Sequence, residues 1–288
     1  MIVTRVIGGL GNQMFQYAAG RALAYRHDVQ LKLDSTGFET YPVHSYGLHH
    51  FAFKAVPAGE REIPNGRAET RWARALRRFG LGTELSVFRE RSFAFDPEVL
   101  SLPDGVYLDG YWQSERYFAD IAQELRRDFE IVTPPNAENA AWLSRIRKDE
   151  GAISIHVRRG DYVTNASASA VHGTCPLDYY VRAAEYVAGK CGAAPTFYVF
   201  SDDPDWVAQN LQLGYETVYV RHNDASRNYE DLRLMAACQH HVIANSTFSW
   251  WGAWLNPSNR KVVVAPAAWF RDGKFDTRDL LPSSWVKF

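Results

Sequence analysis

IVTRVIGGLGNQMFQYAAGRALAYRHDVQLKL, residues 2–33, encodes a complete structural unit near the start of the chain. The apolar run from Ile2 to Ile7 predicts a short buried strand, and the glycines after it predict a tight turn. Small and apolar side chains then recur at helical spacing from about Gln13 to Arg26. Val29 to Leu33 predicts the next strand. A strand, a glycine turn, a helix and a second strand make a βαβ unit, which implies a parallel sheet.

The second half of the chain repeats this alternation. Ala152 to Val157 predicts a buried strand, and further strands are expected at 196–200, 217–220, 241–244 and 261–265. Helices are expected between them, at 177–188, 204–211, 229–238 and 248–255. Such an alternation is typical of a doubly wound domain. The breaker Thr133-Pro134-Pro135-Asn136 divides an expected N-terminal domain, residues 1–135, from a C-terminal domain, residues 136–288.

The segment from 34 to 105 is less regular, and a short strand at 106–108 and a helix at 114–129 are expected after it. A helix at 67–79 carries a row of arginines. Either they form a solvated helix face, or they contact an anionic membrane or a lipid-linked acceptor. These residues are Arg71, Arg74, Arg77 and Arg78.

Composition excludes several classes of protein. The net charge of -1 argues against a nucleic-acid binder, which would need a strongly basic surface. Three cysteines provide neither a disulfide framework nor a CxxC metal pair. The N-terminus lacks the pattern of a signal peptide, and no apolar run approaches the ~20 residues of a membrane span. We therefore expect a cytoplasmic protein that contacts at most the inner face of the membrane.

The strongest chemical motif is His156-Val157-Arg158-Arg159-Gly160-Asp161. Here an apolar strand delivers two arginines and an aspartate to its carboxyl end. Arginine binds phosphate oxygens with paired hydrogen bonds, and a diphosphate leaving group needs such stabilisation as its negative charge grows. The alternative is a structural Arg–Asp pair on a loop.

Two further motifs open helices after strands. Gly8-Gly9-Leu10-Gly11-Asn12-Gln13 resembles a dinucleotide fingerprint, but Met14 replaces its third glycine, so an NAD site is not indicated. The alternative is a turn that needs glycine for its backbone geometry. Asn245-Ser246-Thr247-Phe248-Ser249 supplies hydroxyl and backbone N–H groups that bind anions at a helix N-terminus. An ordinary N-cap is the alternative, although a cap needs only one such residue.

Acidic residues at two other element ends have less specific interpretations. Asp231, in the first turn of an expected helix, could accept hydrogen bonds from the two adjacent donors of guanine, or could simply favour the helix dipole. Asp202 and Asp203 follow an expected strand and could hold a metal. Because they are adjacent and precede Pro204, an N-cap is the preferred interpretation.

Four segments together resemble the α-1,2-fucosyltransferases, a family of inverting enzymes that use GDP-fucose. They are GGLGNQMFQYAAGRALA, HVRRGDYV, FYVFSDDPDWV and ANSTFSWWGAWLN. The resemblance implies a GT-B-like α/β fold with two Rossmann-type domains facing across a cleft. It also implies that the C-terminal domain binds GDP-fucose without a metal, and that the N-terminal domain faces an oligosaccharide or lipid-linked glycan ending in galactose.

The resemblance implies a role for each motif. Arg158 would be the principal diphosphate ligand, supported by Arg159, and His156 and Asp231 would lie near guanine and ribose. Asn245, Ser246, Thr247, Phe248 and Ser249 would contact phosphate and base, and Gly11, Asn12 and Gln13 would approach the sugar from the other domain.

Two questions stay open at this point. Asp161 is the first candidate for the base that takes the acceptor proton, but it could instead hold Arg159 or the sugar. The acceptor pocket is expected within residues 36–105, where His44, Tyr46, His49 and His50 are candidates.

Two rival functions remain. One is a transferase of another nucleotide sugar, such as GDP-mannose, and the other is a non-catalytic nucleotide- or carbohydrate-binding protein.

Overall fold

The computed structural model describes residues 1–41, 43–64, 85–271, 273 and 275–288, without the side chains of 161, 164 and 166–168. The chain divides into two compact units, Met1–Glu130 and Ile131–Phe288, so the expected linker at 133–136 falls inside the second unit. The helix expected at 67–79, with its four arginines, lies outside the described residues. No helix in the described ranges is long and apolar enough to cross a membrane.

The described residues of the first unit form a five-stranded parallel sheet. Its strands are β1 (Ile2–Arg5), β2 (Leu31–Asp34), β3 (Val56–Pro57), β4 (Ser86–Arg89) and β5 (Val106–Asp109), in the order β3-β2-β1-β5-β4. Helix α1 (Leu10–His27) joins β1 to β2, as the βαβ prediction requires. The direction of strand addition reverses between β1 and β5, which makes that pair the topological switch point of this sheet.

Local details of the first unit differ from the predictions. Helix α1 begins at Leu10 because the turn needs only Gly8, whose φ is 87°, and Gly9, which is the N-cap. Gly11 therefore lies inside the helix. The helix expected at 114–129 is broken into two 3-10 turns and α2 (Ala122–Asp128). Phe118 leaves the helical region with φ -140°, and its ring is buried in the core. Strands β3 and β4 were not predicted.

The second unit contains a six-stranded parallel sheet and seven described helices. Its strands are β6 (Ala152–Val157), β7 (Thr196–Ser201), β8 (Glu216–Tyr219), β9 (His240–Val242), β10 (Val263–Ala265) and β11 (Val286–Lys287). Its described helices are α3 (Ala137–Lys148), α4 (Gly160–Thr164), α5 (Ala166–Val171), α6 (Leu177–Ala188), α7 (Pro204–Asn210), α8 (Asn228–Ala237) and α9 (Thr247–Leu255).

The strand order β11-β10-β9-β6-β7-β8 is the 3-2-1-4-5-6 order of a doubly wound domain, read from the opposite edge. Apolar residues of β6 pack against α6, whose predicted bounds are confirmed at both ends. Helix α3 was not predicted; Asn136 caps it by accepting a hydrogen bond from the Asn139 N–H at 2.8 Å. The predicted class, two Rossmann-type α/β domains, is confirmed.

Candidate functional site

The switch point of the second sheet lies between β6 and β9, which are hydrogen-bonded neighbours. The chain leaves β6 at Val157 and leaves β9 at Val242, so the two strongest motifs emerge side by side at one sheet edge. Ligands of doubly wound domains bind at this place. The topology thus brings together the Arg158 segment and the Asn245 segment, which are almost ninety positions apart in the sequence.

Arg158 is held by an acid from the neighbouring strand. Its Nη1 lies 2.9 Å from Oδ2 of Asp202, which follows β7, and both side chains are about one quarter exposed. The other oxygen of Asp202 accepts a hydrogen bond from the Arg159 backbone N–H at 2.8 Å. Gly160 allows this approach, because a Cβ there would lie 2.5 Å from Asp202 Oδ2. A part-exposed guanidinium fixed at a strand end is suited to binding an anion.

Arg159 is bound more completely by the protein. Its Nε donates to Asp203 Oδ2 at 3.2 Å, and its guanidinium carbon lies 3.3 Å from the centre of the Trp206 ring. Asp203 is the N-cap residue of α7, but its side chain makes no cap hydrogen bond. The capping interpretation is therefore wrong for the carboxylate, since the arginine is a stronger partner than a backbone N–H. Arg159 positions the loop rather than offering a free cation.

His156 is a buried, neutral histidine that faces the second motif. Its side chain is 5 % exposed, and its ring centre lies 5.6 Å from that of Phe248. Burial, reinforced by the charge of Arg158, lowers the pKa of His156 to about 4. Within the described part of the chain, its Nδ1 has no hydrogen-bond partner. A buried polar atom without a partner is costly, so a ligand group would find a ready hydrogen-bonding site here.

Asn245 organises the loop after β9. Its amide nitrogen lies 3.1 Å from the carbonyl oxygens of His172, Gly173 and Trp269, and its Oδ1 accepts from the Cys175 thiol. These contacts use both amide hydrogens. The geometry therefore gives the Asn245 side chain a positioning role, and its direct contact with the donor stays a prediction.

The N-terminus of α9 is suited to an anion. Ser246 occupies the N-cap position without a side-chain cap hydrogen bond, and the first turn contains no acidic residue. The Ser249 hydroxyl turns back to the Ser246 carbonyl at 3.2 Å, whereas Thr247 and Phe248 are partly exposed. An α-helix N-terminus carries partial positive charge and outward-pointing N–H groups, which favour phosphate.

Asp231 lies in the first turn of α8 within a network of amides. Its Oδ1 accepts a hydrogen bond from Asn223 Nδ2 at 2.7 Å, and Asn223 in turn exchanges hydrogen bonds with Asn139 of α3. Burial raises the pKa of Asp231 to about 7, and the nearby Glu230 adds to the rise. Glu230 is itself paired with Arg233 at 2.8 Å. Asp231 is thus a carboxyl group that loses its proton near neutrality.

The predicted site residues of the first unit differ in solvent exposure. Gln13 is fully buried; its Nε2 donates to the carbonyl oxygens of Gly8 and Ser45, and its Oε1 accepts from Gly47 N–H. Its side chain therefore holds a loop, and Gly11 is likewise buried; the contact of both residues with the sugar stays a prediction. Asn12 is partly exposed and accepts a hydrogen bond from Gln113 at 3.1 Å.

Two of the four acceptor candidates, His44 and Tyr46, belong to the loop that Gln13 holds, and His49 and His50 follow it in a 3-10 turn. The ring of His44 packs over Gly9, where an added Cβ would lie 3.6 Å from its Nε2. Tyr46 packs at a ring distance of 6.0 Å against both Phe38 and His49. His44 thus borders the glycine turn, and Tyr46 belongs to an aromatic row beside it. The side chain of Asp161, the candidate base, lies outside the described residues.

Three functional contacts were missed from the sequence: Asp202 to Arg158, and Asp203 and Trp206 to Arg159. The sequence did contain an indication of the ion pairs. The strands ending in Arg158-Arg159 and in Asp202-Asp203 are both predicted, and neighbouring parallel strands end at the same sheet edge. Two opposite charge pairs at adjacent strand ends indicate ion pairs more strongly than a cap.

Comparisons with known proteins agree with this geometry. The family model of glycosyl transferase family 11 matches residues 92–287. An alpha-1,2-colitosyltransferase of Escherichia coli is 34 % identical over 300 residues, covering 100 % of this chain and 98 % of that protein. Galactoside alpha-(1,2)-fucosyltransferase 1 of Saimiri sciureus is 24 % identical over 155 residues, covering 51 % of this chain and 42 % of that protein.

Among solved structures, a FUT1 mutant of Arabidopsis thaliana in complex with GDP has a TM-score of 0.50 at 12 % identity. The alignment covers 91 % of this chain and 71 % of that one, which supports the fold. The family model alone spans more than half of the chain, and the Escherichia coli relative matches it from end to end. The chain belongs to glycosyl transferase family 11 and is a glycosyltransferase.

Proposed function

We propose that this enzyme transfers L-fucose from GDP-fucose to a galactoside hydroxyl, in α-1,2 linkage and with inversion. The observation that carries the proposal is the juxtaposition of Arg158 with the N-terminus of α9 at one switch point. A cation and a helix N-terminus there suit a diphosphate. The linkage is supported by the α-1,2 specificity in the names of the two sequence relatives, and GDP by the ligand of the Arabidopsis structure.

In the proposed reaction the acceptor oxygen attacks C1 of the sugar from the face opposite the nucleotide. The bond from C1 to the β-phosphate oxygen breaks, and GDP leaves with the electron pair. Arg158 and the α9 N-terminus, with the hydroxyls of Ser246 and Thr247, neutralise the charge that develops on the diphosphate. Asp161 takes the acceptor proton in this scheme. Arg159 and Asn245 hold the two loops in place.

The nucleoside end of the donor is assigned to Asp231 and to the buried His156. Asp231 accepts hydrogen bonds from guanine N1–H and the exocyclic amine, and His156 lies near base or ribose beside Phe248. Ser249 supports the α9 terminus through its bond to Ser246. Independence from metals stays a prediction, which an assay in excess chelator tests.

A second candidate donor is GDP-colitose, and the 34 % identical relative specifically favours it. Colitose is fucose without the C3 hydroxyl. A site that hydrogen-bonds this hydroxyl strongly disfavours the deoxy analogue, whereas an apolar site discriminates less, since only unpaired polar groups impose a large cost. A strong preference for GDP-fucose would therefore indicate the first donor, and equal or better use of GDP-colitose would indicate the second.

The deciding experiment measures kcat/KM for GDP-fucose, GDP-colitose and GDP-mannose with a panel of galactosides, and determines the product linkage by NMR. We expect α-linked fucosyl product. Preference for colitose would replace the donor, and preference for mannose would reject the 6-deoxyhexose assignment. GDP binding without transfer or donor hydrolysis would indicate the non-catalytic alternative.

A further inference from the structure

The first sheet has its own cavity at its own switch point. The cavity of about 160 Å³ lies at the carboxyl ends of β1 and β5 and is lined by Arg5, Gly8, Gln16, Tyr41, Asp109 and Tyr111, among others. This volume is well below the ~300 Å³ at which pockets for drug-sized ligands begin. One sugar ring fits such a cavity better than a nucleotide does.

The charges in this cavity are balanced. Arg5 and Asp109 follow Thr4 and Leu108, which are paired in the sheet. Nη1 of Arg5 lies 3.1 Å from Oδ1 of Asp109. Arg89, which is not part of the lining, approaches the other oxygen of Asp109 at 3.4 Å. The charged groups of the lining are thus one guanidinium and one carboxylate, which provide hydrogen-bond donors and acceptors without a net charge. Such a lining matches a neutral polyol rather than a diphosphate.

Two tyrosines contribute aromatic surface to the cavity. Tyr111 is 38 % exposed and lies parallel to Phe93, with ring centres 6.3 Å apart and an interplanar angle of 12°. Tyr41 packs against Phe38 and His44. Pyranose rings present an apolar face of C–H groups that packs on an aromatic ring, while their hydroxyls reach polar neighbours. Ligand sites commonly combine aromatic walls with a few placed polar groups.

The walls are rigid because buried side chains hold the backbone. Gln16 donates to the Gly110 carbonyl at 3.2 Å and accepts from the Ile7 N–H at 2.9 Å, which joins the two strand-end loops. The Glu90 carboxylate accepts from the N–H groups of both Tyr111 and Trp112. Trp112 is fully buried with φ 56°, a conformation that few tryptophans adopt. Strained backbone that the surroundings enforce is typical of functional sites.

The geometry points to this cavity as the subsite for one neutral hexopyranose of the acceptor. Tyr111 packs on the sugar face, and the Arg5–Asp109 pair hydrogen-bonds two of its hydroxyls. The inference rests on the proposed function, since it names the acceptor side of the same reaction.

The test uses the full-length enzyme and four probes: lactose and the methyl glycosides of galactose, glucose and N-acetylgalactosamine. Tyr111→Ala and Asp109→Asn are compared with Tyr25→Ala, an exposed tyrosine of the same unit outside the cavity. We expect KM for the best acceptor to rise about tenfold or more in both cavity variants, as for loss of a charged hydrogen bond or a ring contact. The affinity for GDP and donor hydrolysis without acceptor should stay within twofold.

Each other outcome has a defined meaning. An unchanged acceptor KM in Tyr111→Ala and Asp109→Asn overturns the subsite. The subsite is also overturned if the wild-type protein binds none of the four probes in calorimetry. If Asp109→Asn unfolds, the exposed Tyr111 variant still decides. If the wild-type enzyme neither binds GDP nor hydrolyses donor, the proposed function fails, and the sugar calorimetry then judges the cavity independently.

Discussion

The two switch points of this molecule both lie beside the first strand of their sheet, but they differ in chemistry. At the carboxyl ends of β6 and β9 the chain presents Arg158, the neutral His156 and a helix N-terminus without a side-chain cap. At the carboxyl ends of β1 and β5 it presents the Arg5–Asp109 pair and two tyrosine rings. The last residues of each strand and the loop residues that follow decide whether the crevice suits an anion or a polyol, so function is read there and not from the fold.

The largest effect is expected from removing the cation of the second switch point. Arg158→Ala should lower kcat/KM for the donor more than ~100-fold, by analogy with loss of one donor to a developing oxyanion. Arg158→Lys should recover part of this, because a lysine keeps the charge without the paired hydrogen bonds. Steady-state kinetics and GDP calorimetry measure both.

Arg182→Ala is the matched control, since Arg182 is exposed on α6 of the same unit and pairs only loosely with Asp178 at 3.5 Å. Near-normal activity of Arg158→Ala would mean that Arg158 does not bind the diphosphate, so the two crevices would not differ in this respect.

A smaller effect concerns the charge of Asp231. Guanine N1–H and its amine bind the ionised carboxylate, so guanosine affinity should fall about tenfold between pH 8 and pH 6, across the pKa near 7. Guanosine is used because it has no phosphate that titrates there. His156, with a pKa of about 4, stays neutral throughout, and Glu230 is paired with Arg233.

Asp231→Asn should bind guanosine weakly and without this slope. The free energy of unfolding changes with pH in the opposite direction to guanosine affinity. Since the folded-state pKa is raised, the contribution of Asp231 to stability is present below pH ~4 and is lost as the pH rises through 7. Urea unfolding of the wild type should therefore lose stability over that window relative to Asp231→Asn. Parallel curves would argue against a buried, titrating carboxyl group.

The smallest effect probes how closely the arginine is placed. Gly160→Ala puts a Cβ 2.5 Å from Asp202 Oδ2, which must shift and disturb the Arg158 pair. GDP affinity should fall about fivefold, which corresponds to ~1 kcal/mol, the lower end of the cost of overpacking. Gly192→Ala is the control, because nothing lies within 4 Å of its added Cβ. Equal GDP affinity in both variants would mean that Asp202 does not position Arg158.

The second unit was more predictable than the first. Helix α6 and strand β6 follow from strong periodicity and apolar runs, and the structure reproduces their bounds. The helix expected at 114–129 failed because the backbone there is set by rings such as Phe118 and Tyr117, which pack into the core. Local patterns carry no record of such tertiary demands.

The candidate site also has a part that the sequence predicts and a part that it does not. Its position follows from strand ends, which periodicity locates well. The partners within it do not, because Arg158 and Asp202 are separated by more than forty residues and meet only through strand order. The buried state of Gln13 was equally hidden, since an amide beside a glycine turn suits a ligand contact and a loop anchor alike.

Gln13 has a practical value for directed evolution. Its hydrogen bonds to the segment around Ser45 and Gly47 reach backbone groups, so these bonds do not depend on the identity of the side chains there. Tyr41, His44 and Tyr46 can therefore be randomised together while the anchor is kept. The segment is a natural cassette for libraries that seek new glycan acceptors, with Gln13 as the one position to leave untouched.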